Sequence, residues 1–451
     1  MKIIIVGCST IGETLAAELV EEDNDITMID LSSEKIKSIT ARYDVMGIVG
    51  NGATHKTQLE AGIDTADLLI AVTDSDELNL LCCIVAKRES ECDTIVRLEN
   101  PEYNGEVDYI KNELGLAMAI NPDLAAAEEI ARILRFPTAL KIDTFVGGKV
   151  ELVKFRLPDE SALSGLSVKY AASKLATDIL FCTVERGDEA YITNGDFVFE
   201  RGDVISIIAT PKAASAFFKA IGIRAGAVKD VIIAGGGEIC EYLCKILAKY
   251  NINIKIVEKS RQKCEDLANA LHKVTVVHGD PRNANIMQEE GISRADAFVS
   301  LTGDDEDNIL LSLYAKREGA KKLITAINRI DYDAVIRPLN LGSTIYPKNI
   351  TTEQILRHAR SMRSKVGSKF EAMYTVIPGR VEVAEFKIYE RSAITGKALS
   401  RLPLKRGVLI AAILRDGNVI IPRGNDTIEI GDAVVIVYES MYIGDIIDVL
   451  R

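Results

Sequence analysis

The 451-residue sequence predicts an α/β protein in which a doubly wound, parallel-sheet domain followed by a small α+β module occurs twice in tandem. Three observations carry that prediction. Short apolar runs alternate with helix-period patterns from residue 1 to about 121, the signature of a parallel sheet covered on both faces. A tight glycine turn, Gly7-Cys8-Ser9-Thr10-Ile11-Gly12, separates the first apolar run from the first helical pattern. The whole arrangement restarts at residue 228, and a repeat that long is far more specific than any single glycine motif.

The opening stretch reads as strand, turn, helix, strand, acid. Residues 2–6 suit a buried parallel strand, Leu15, Leu19 and Val20 follow at helical spacing, and Asp30 closes the next apolar run 23 residues after Gly7. In such a start, unpaired N–H groups at the helix N-terminus face a pyrophosphate and the acid accepts the ribose hydroxyls. The pattern here is G-x-S-x-x-G: Ser9 stands where a glycine normally lets phosphates approach the backbone. Strands are expected at 2–6, 26–30, 45–49, 68–72, 94–97 and 117–120, and helices at 11–20, 33–40, 55–61, 76–88 and 103–113. The crevice should lie at the carboxyl ends of the strands. Gly50-Asn51-Gly52, Thr73-Asp74-Ser75-Asp76 and Arg97 all fall there. The glycines suit close backbone approach and Arg97 can donate to phosphate oxygens. Equally, these loops read as turns and helix caps, with Asp76 a first-turn acid stabilised by the helix dipole.

Six segments follow from the pattern. A Rossmann-like domain spans 1–121, and a linking helix 122–140 opens on Asn121-Pro122 with an apolar stripe of Leu124, Ala127, Ala131 and Leu134. A module over 141–225 has strands at 150–156, 179–185, 190–193 and 204–209, a helix at 161–174, and Asn-Gly and Gly-Asp punctuation that signals hairpins. The second Rossmann-like domain covers 228–347, the second linking helix 348–366, and the last module 367–451. Gly235-Gly236-Gly237-Glu238-Ile239-Cys240 repeats the glycine turn, and Glu258 follows Gly235 by the same 23 residues. Asp280 answers Asn51, Thr302 answers Thr73 and Asn308 answers Asn79. In the modules, Gly396, Arg415 and Asp432 answer Gly165, Arg186 and Asp203. The helix at 350–366 is rich in Arg357, His358, Arg360, Arg363 and Lys365, and reads as a solvated basic face.

Composition narrows the function. With 47% hydrophobic and 27% charged residues the chain is of ordinary globular type, and its net charge of −12 argues against a nucleic-acid partner. No apolar run approaches the roughly 18 residues that a membrane helix needs. The eight cysteines form no C-x-x-C pair and read as small buried hydrophobes in a reducing, cytoplasmic setting. No metal site is expected. The acids Asp74, Asp76 and Glu77, with Asp304, Asp305 and Glu306, are of a type that suits divalent cations, but they also fit helix first turns, which is the preferred reading. A dehydrogenase needs an acid or base poised beside the nicotinamide, and none of His55, His272, His278 and His358 recurs between the copies.

A glycine-turn domain with a GDAT-like loop at Val277-His278-Gly279-Asp280, an Ala71-Val72-Thr73 stretch leading to Asn79, a β-rich module behind it and the whole duplicated, resembles the RCK (KTN) regulators of potassium transport. The resemblance covers essentially the full length. It implies a non-enzymatic, nucleotide-sensing subunit that binds NAD(H), with ATP/ADP as further ligands. It also implies assembly as a homo-oligomeric ring of RCK domains on the inner face of the cell membrane, beneath a membrane-embedded Trk-type potassium transporter, with no nucleic-acid partner and no catalytic residue. The nucleotide contacts it implies fall on Gly7, Cys8, Ser9, Thr10, Ile11, Asp30, Thr73, Asp74 and Arg97 in the first unit, and on Gly235, Gly236, Gly237, Glu238, Ile239 and Glu258 in the second. Arg97 aligns with Ala326, so the second site is expected to carry less positive charge, and Ser9 to crowd the pyrophosphate in the first. Asp30 and Glu258 both disfavour a 2′-phosphate, so NADP should bind poorly.

Overall fold

The computed structural model describes the whole chain except residues 101–102, 104–105, 136–138, 147, 159–160, 176–177, 188, 222–227, 329–335, 363–367, 378, 440–442 and 444. The chain forms two compact units. One comprises Met1–Ala131 with Asp230–Leu356, the other Arg132–Lys229 with Arg357–Arg451.

The first unit holds two parallel sheets. In the first, β1 (Lys2–Val6), β2 (Asp25–Asp30), β3 (Met46–Val49), β4 (Leu68–Ala71), β5 (Asp93–Arg97) and β6 (Met118–Ile120) lie in the order β3-β2-β1-β4-β5-β6. Helices α1 (Thr10–Glu21), α2 (Ser33–Arg42), α3 (His55–Glu60), α4 (Asp76–Glu89) and α5 (Val107–Glu113) make the crossovers, and α6 (Pro122–Arg135) leaves the last strand. Strands β1 and β4 are apolar throughout their buried length because both faces are covered. Ile4, Val6, Ile29, Leu69, Ala71, Cys82, Cys83 and Val96 form one side of that core. The order reverses between β1 and β4, which opens a crevice at their carboxyl ends.

The modules lie in the second unit. In the first module β7 (Ala139–Phe145), β8 (Val150–Arg156), α7 (Val168–Leu175), β9 (Ile179–Arg186), β10 (Glu189–Ile192), β11 (Val204–Ala209) and α8 (Pro211–Ala220) build an antiparallel sheet in the order β10-β9-β11-β8-β7. The expected helix at 161–174 begins only at Val168, because Gly165 holds a left-handed turn at φ 81° and Ser161–Gly165 is taken up by tight turns. Strand β7 and helix α8 were not read from the sequence, their apolar positions being too few to set a period.

The parallel sheet then recurs in the first unit. It comprises β12 (Asp230–Ala234), α9 (Glu238–Leu247), β13 (Asn253–Glu258), α10 (Arg261–Ala270), β14 (Val274–His278), α11 (Ala284–Glu289), β15 (Ala297–Ser300), α12 (Asp305–Glu318), β16 (Lys322–Ala326) and β17 (Ser343–Ile345), in the order β14-β13-β12-β15-β16-β17. Helix α13 (Pro347–Met362) follows, and β18 (Ser368–Ile377), β19 (Val381–Ile388), β20 (Val408–Arg415), β21 (Asn418–Ile420) and β22 (Ala433–Glu439) repeat the antiparallel sheet in the matching order. Strand β18, at the edge of that sheet, was not read from the sequence. Arg186 grips Asp203 through two hydrogen bonds of 2.8 and 2.9 Å, and Arg415 grips Asp432 through two of 2.9 and 2.7 Å. Each aspartate is almost fully buried, so the repeated Arg and Asp are a structural clasp across the sheet end. Within this unit the two modules share a core of Phe145, Val150, Leu152, Cys182 and Ile208 with Val376, Val381, Val383 and Val435.

Two readings of the linking helices change. The buried face of α6 is Ala125, Ala126, Ala127, Ile130, Ile133 and Leu134, displaced from the expected stripe because Leu124 and Ala131 stay partly exposed. The face is covered within the chain itself. On α13, Arg357 is half-buried and stacks over the Tyr374 ring at 4.2 Å, so part of the basic face is packed rather than solvated. Arg363 and Lys365 lie outside the described residues.

Candidate functional site

A glycine turn at each crevice sets the geometry. Gly7 and Gly235 take φ values of 108° and 101°, which only glycine adopts without strain. A Cβ on Gly7 would meet the backbone of residues 72 and 73 at 2.9 Å, and one on Gly235 the Leu301 carbonyl at 2.5 Å. The acid at the end of the second strand then locks the turn. Asp30 accepts from the Cys8 N–H (2.7 Å) and the Ser32 N–H (2.8 Å), and Glu258 accepts from the Gly236 N–H and the Ser260 N–H, both at 2.7 Å. Each carboxylate oxygen keeps a second lone pair for a further donor.

A second brace, repeated in both copies, is the buried asparagine of the fourth-strand loop. Asn79 Oδ1 accepts from the Thr73 N–H and hydroxyl (2.8 and 2.7 Å), while its amide donates to the Thr73 and Arg97 carbonyls (3.0 and 3.1 Å). Asn308 does the same with Thr302 and Ala326, and also accepts from the Ser300 hydroxyl. Only the backbone carbonyl of residue 97 or 326 is used, which is why arginine and alanine can exchange there.

The first cleft has a volume of about 330 Å³. Gly7, Ser9, Asp30, Thr73 and Asp74 line it, as do Gly50, Asn51 and Gly52. Cys8, Thr10, Ile11 and Arg97 are not among its lining residues. Ile11 is core, the Cys8 thiol is pushed up to about 12 by burial and the charge of Asp30, and only Cys8's N–H serves the turn. Arg97 is the larger departure. Its side chain is 11% exposed, pairs with Glu99 and, at 3.6 Å, with Asp74, and donates to the Thr73 carbonyl. It braces the loop instead of presenting a free cation. Ser9 caps α1, its hydroxyl accepting from the Gly12 N–H (3.3 Å) and donating to the Val72 carbonyl (3.1 Å). One helix N-terminal donor is thereby used before any phosphate arrives.

The second cleft, about 480 Å³, is lined by all six expected residues: Gly235, Gly236, Gly237, Glu238, Ile239 and Glu258. Its N-cap, Gly237, has no side chain, and a Cβ built there meets nothing within 4 Å. The second cleft carries more charge of both signs than the first, its acids being Asp123, Glu238, Glu258, Asp280 and Asp307 against Asp30 and Asp74. Lys259, Lys263 and Arg282 line this cleft, against Lys35 among the described lining of the first. Sequence reasoning weighed only the position of Arg97 and missed that Leu31 and Ala53 align with Lys259 and Arg282. Arg282 is held by Asp280 in a bidentate pair (2.8 to 3.2 Å) and lies 3.6 Å from Asp307, and this arginine holds the Asp280 carboxyl down at about 2. The second cleft is also lined by Asp123, which comes from the start of α6 in the first half of the chain. No periodicity or motif marks that residue.

The acids considered for cations serve as caps and loop anchors. Asp76 accepts from the Glu99 and Asn100 N–H groups, Asp305 from the Asn328 N–H, and Asp304 caps α12. Among the described residues no group of three or more His, Cys, Asp or Glu side chains is placed to hold a metal. All eight cysteines are free, and seven of them are buried. Neither cleft has a histidine among its described lining residues. No helix among the described residues is long and apolar enough to cross a membrane.

Two glycine-turn domains alternating with two antiparallel modules define a tandem RCK protein. The TrkA-N domain model matches residues 3–122 and 231–347, and the TrkA-C domain model residues 152–222 and 383–450, so the chain belongs to the TrkA family. The Trk system potassium uptake protein TrkA homolog of Archaeoglobus fulgidus is 31% identical over 436 residues, 97% of each chain. The Trk system potassium uptake protein TrkA of Haemophilus influenzae is 31% identical over 440 residues, 97% of this chain and 95% of that one. Among solved structures, the GsuK RCK domain aligns with a TM-score of 0.64 at 15% identity, covering 97% of this chain and 92% of that one. The GsuK channel bound to NAD aligns with a TM-score of 0.64 at 16% identity, covering 97% and 77%.

Proposed function

We propose that this chain is the cytoplasmic, nucleotide-sensing regulatory subunit of a membrane potassium-uptake transporter, and that it has no catalytic activity of its own. The observation that carries the reading is the pair of clefts, each lined by a glycine turn at the start of a helix and by a carboxylate at the end of the second strand that holds the turn. Amides at a helix N-terminus favour a diphosphate, and the acid favours a ribose with free hydroxyls. NAD(H) fits both features, and so do ATP and ADP, which carry a ribose with free hydroxyls and a phosphate chain. The relatives' names support the transport role, and the NAD carried by the GsuK channel supports the ligand.

Nucleotide then acts by population shift. A ligand biases a ring of RCK domains only by its differential affinity for two arrangements, typically about 1–3 kcal/mol of coupling. Closure around the diphosphate draws on the ends of β1, β4, β12 and β15, and the ring transmits the movement to the transporter. Calorimetry of the full chain against NADH, NAD, NADPH, ATP and ADP tests the reading. NADH or ATP binding that is lost from one class of site in Asp30→Ala and from the other in Glu258→Ala supports it. No binding by any nucleotide leaves a ligand-independent assembly scaffold, and turnover of NADH with a small hydroxy or keto acid leaves an oxidoreductase.

A further inference from the structure

The second cleft contains a group that the first does not. Asp123 opens α6 directly after β6, so a carboxyl on the helix that leaves the first Rossmann-like domain lines the cleft of the second. Glu238, the first residue of α9, lines the same cleft, and its carboxyl acts on that of Asp123. Two neighbouring carboxyls are stabilised when one of them keeps its proton, since that removes the like-charge repulsion. Asn121 anchors the junction. Its Oδ1 caps α6 through the Leu124 N–H (2.9 Å), and its amide reaches the Tyr242 hydroxyl on α9 (3.4 Å).

We propose that the Asp123–Glu238 pair makes nucleotide binding in the second cleft proton-linked: a diphosphate enters against a protonated pair and is resisted by an ionised one. The inference rests on the nucleotide reading of this cleft. The groups facing Asp123 are Glu238 on α9 and Glu99 and Arg97 from the end of β5 and the loop after it, and the cleft beyond is lined by Glu258, Lys259, Lys263, Asp280, Arg282 and Asp307. Burial and the two acids outweigh Arg97 and push the Asp123 carboxyl up to about 7. The arriving phosphate adds a like charge, which favours the protonated form further, so binding above that pH takes up a proton. Below it the proton is already present and binding takes up little.

The first cleft is an internal control. Thr10 stands at the place of Glu238, α13 begins Pro347-Lys348 where α6 begins Pro122-Asp123, and no residue of α13 is among the described lining of the first cleft.

The test is calorimetry of the full chain with NAD, whose diphosphate keeps its charge across this range, in two buffers of different ionisation enthalpy at about pH 6, 7 and 8. The Glu258→Ala variant assigns the signals to the two clefts. At about pH 8 the second cleft should take up close to one proton per NAD, and its affinity should fall by up to about tenfold per pH unit above neutrality. Binding in the first cleft should show neither. Asp123→Asn should abolish the uptake and flatten the slope, holding at about pH 8 the affinity the unaltered chain has at about pH 6; Glu238→Gln should likewise abolish the uptake and flatten the slope, whatever its effect on the affinity itself. Proton uptake is read on the unaltered chain, so a variant that fails to fold does not decide the matter. NAD binding in the second cleft without proton uptake overturns the inference and leaves the nucleotide reading standing. Absence of binding in either cleft overturns both.

Discussion

The two clefts share a frame and differ in what faces the opening. Asn79 and Asn308 make the same hydrogen bonds to the fourth-strand loop and the fifth strand, and Asp30 and Glu258 clamp the same two backbone amides. Around that frame Leu31, Asn51, Ala53 and Leu78 of the first copy become Lys259, Asp280, Arg282 and Asp307 of the second. Duplicated folds constrain buried polar groups tightly, because each has fixed partners whose loss is costly. Positions that face an open cleft carry no such cost. The repeat therefore preserved the frame while the surface facing the opening diverged, and the two clefts of one chain present different charges.

The largest expected effect tests the frame. Asn79→Ala and Asn308→Ala each remove at least four hydrogen bonds of a buried side chain and leave partners unsatisfied, which should cost about 4 kcal/mol in denaturant unfolding. The two losses should be alike; a loss in only one copy would show that the frames are not equivalent. Gly12 is next. A Cβ there would stand 2.0 Å from the Gly7 carbonyl oxygen, whereas the second copy accommodates a buried Cys240 at the matching position. Gly12→Ala should destabilise the first domain by about 3 kcal/mol, and Cys240→Ala should cost about 1 kcal/mol, both read as shifts in unfolding midpoint.

Two smaller effects concern the ligand. Asp30→Ala and Glu258→Ala should each weaken NADH in their own cleft by about 2 kcal/mol, roughly thirtyfold, through loss of the ribose acceptor and of the clamped turn. Calorimetry showing both sites affected equally by one variant would break the assignment of one acid to each cleft. Ser9→Gly should tighten the first cleft by about 1 kcal/mol, since it frees the Gly12 N–H and removes the side chain beside the phosphate path, while costing a few tenths (about 0.3 kcal/mol) of helix capping. Unchanged affinity would mean that Ser9 does not crowd the site.

Much of the fold was legible. The first sheet's six strands fall within a residue or two of their expected positions, because buried parallel strands are short, apolar and bounded by turns. Strand β7, helix α8 and the edge strand β18 were not, since half-buried elements of small modules carry too little apolar contrast to set a period. Of the fifteen candidate contacts, those set by backbone geometry, such as Gly7, Gly235 and the strand-end acids, line their clefts. Arg97 does not, because a cation beside Glu99 and Asp74 is satisfied locally before a ligand can compete.

Local rules within the chain thus determined the tandem repeat, the α/β class, the glycine turns and the acids paired with them, since strand burial, positive φ and helix capping depend on near neighbours in sequence. Only the tertiary structure decided which charges face each cleft. Side chains from separate loops, and in Asp123 from the first linking helix, meet there through packing over more than a hundred residues of chain, and no spacing in the sequence encodes that meeting.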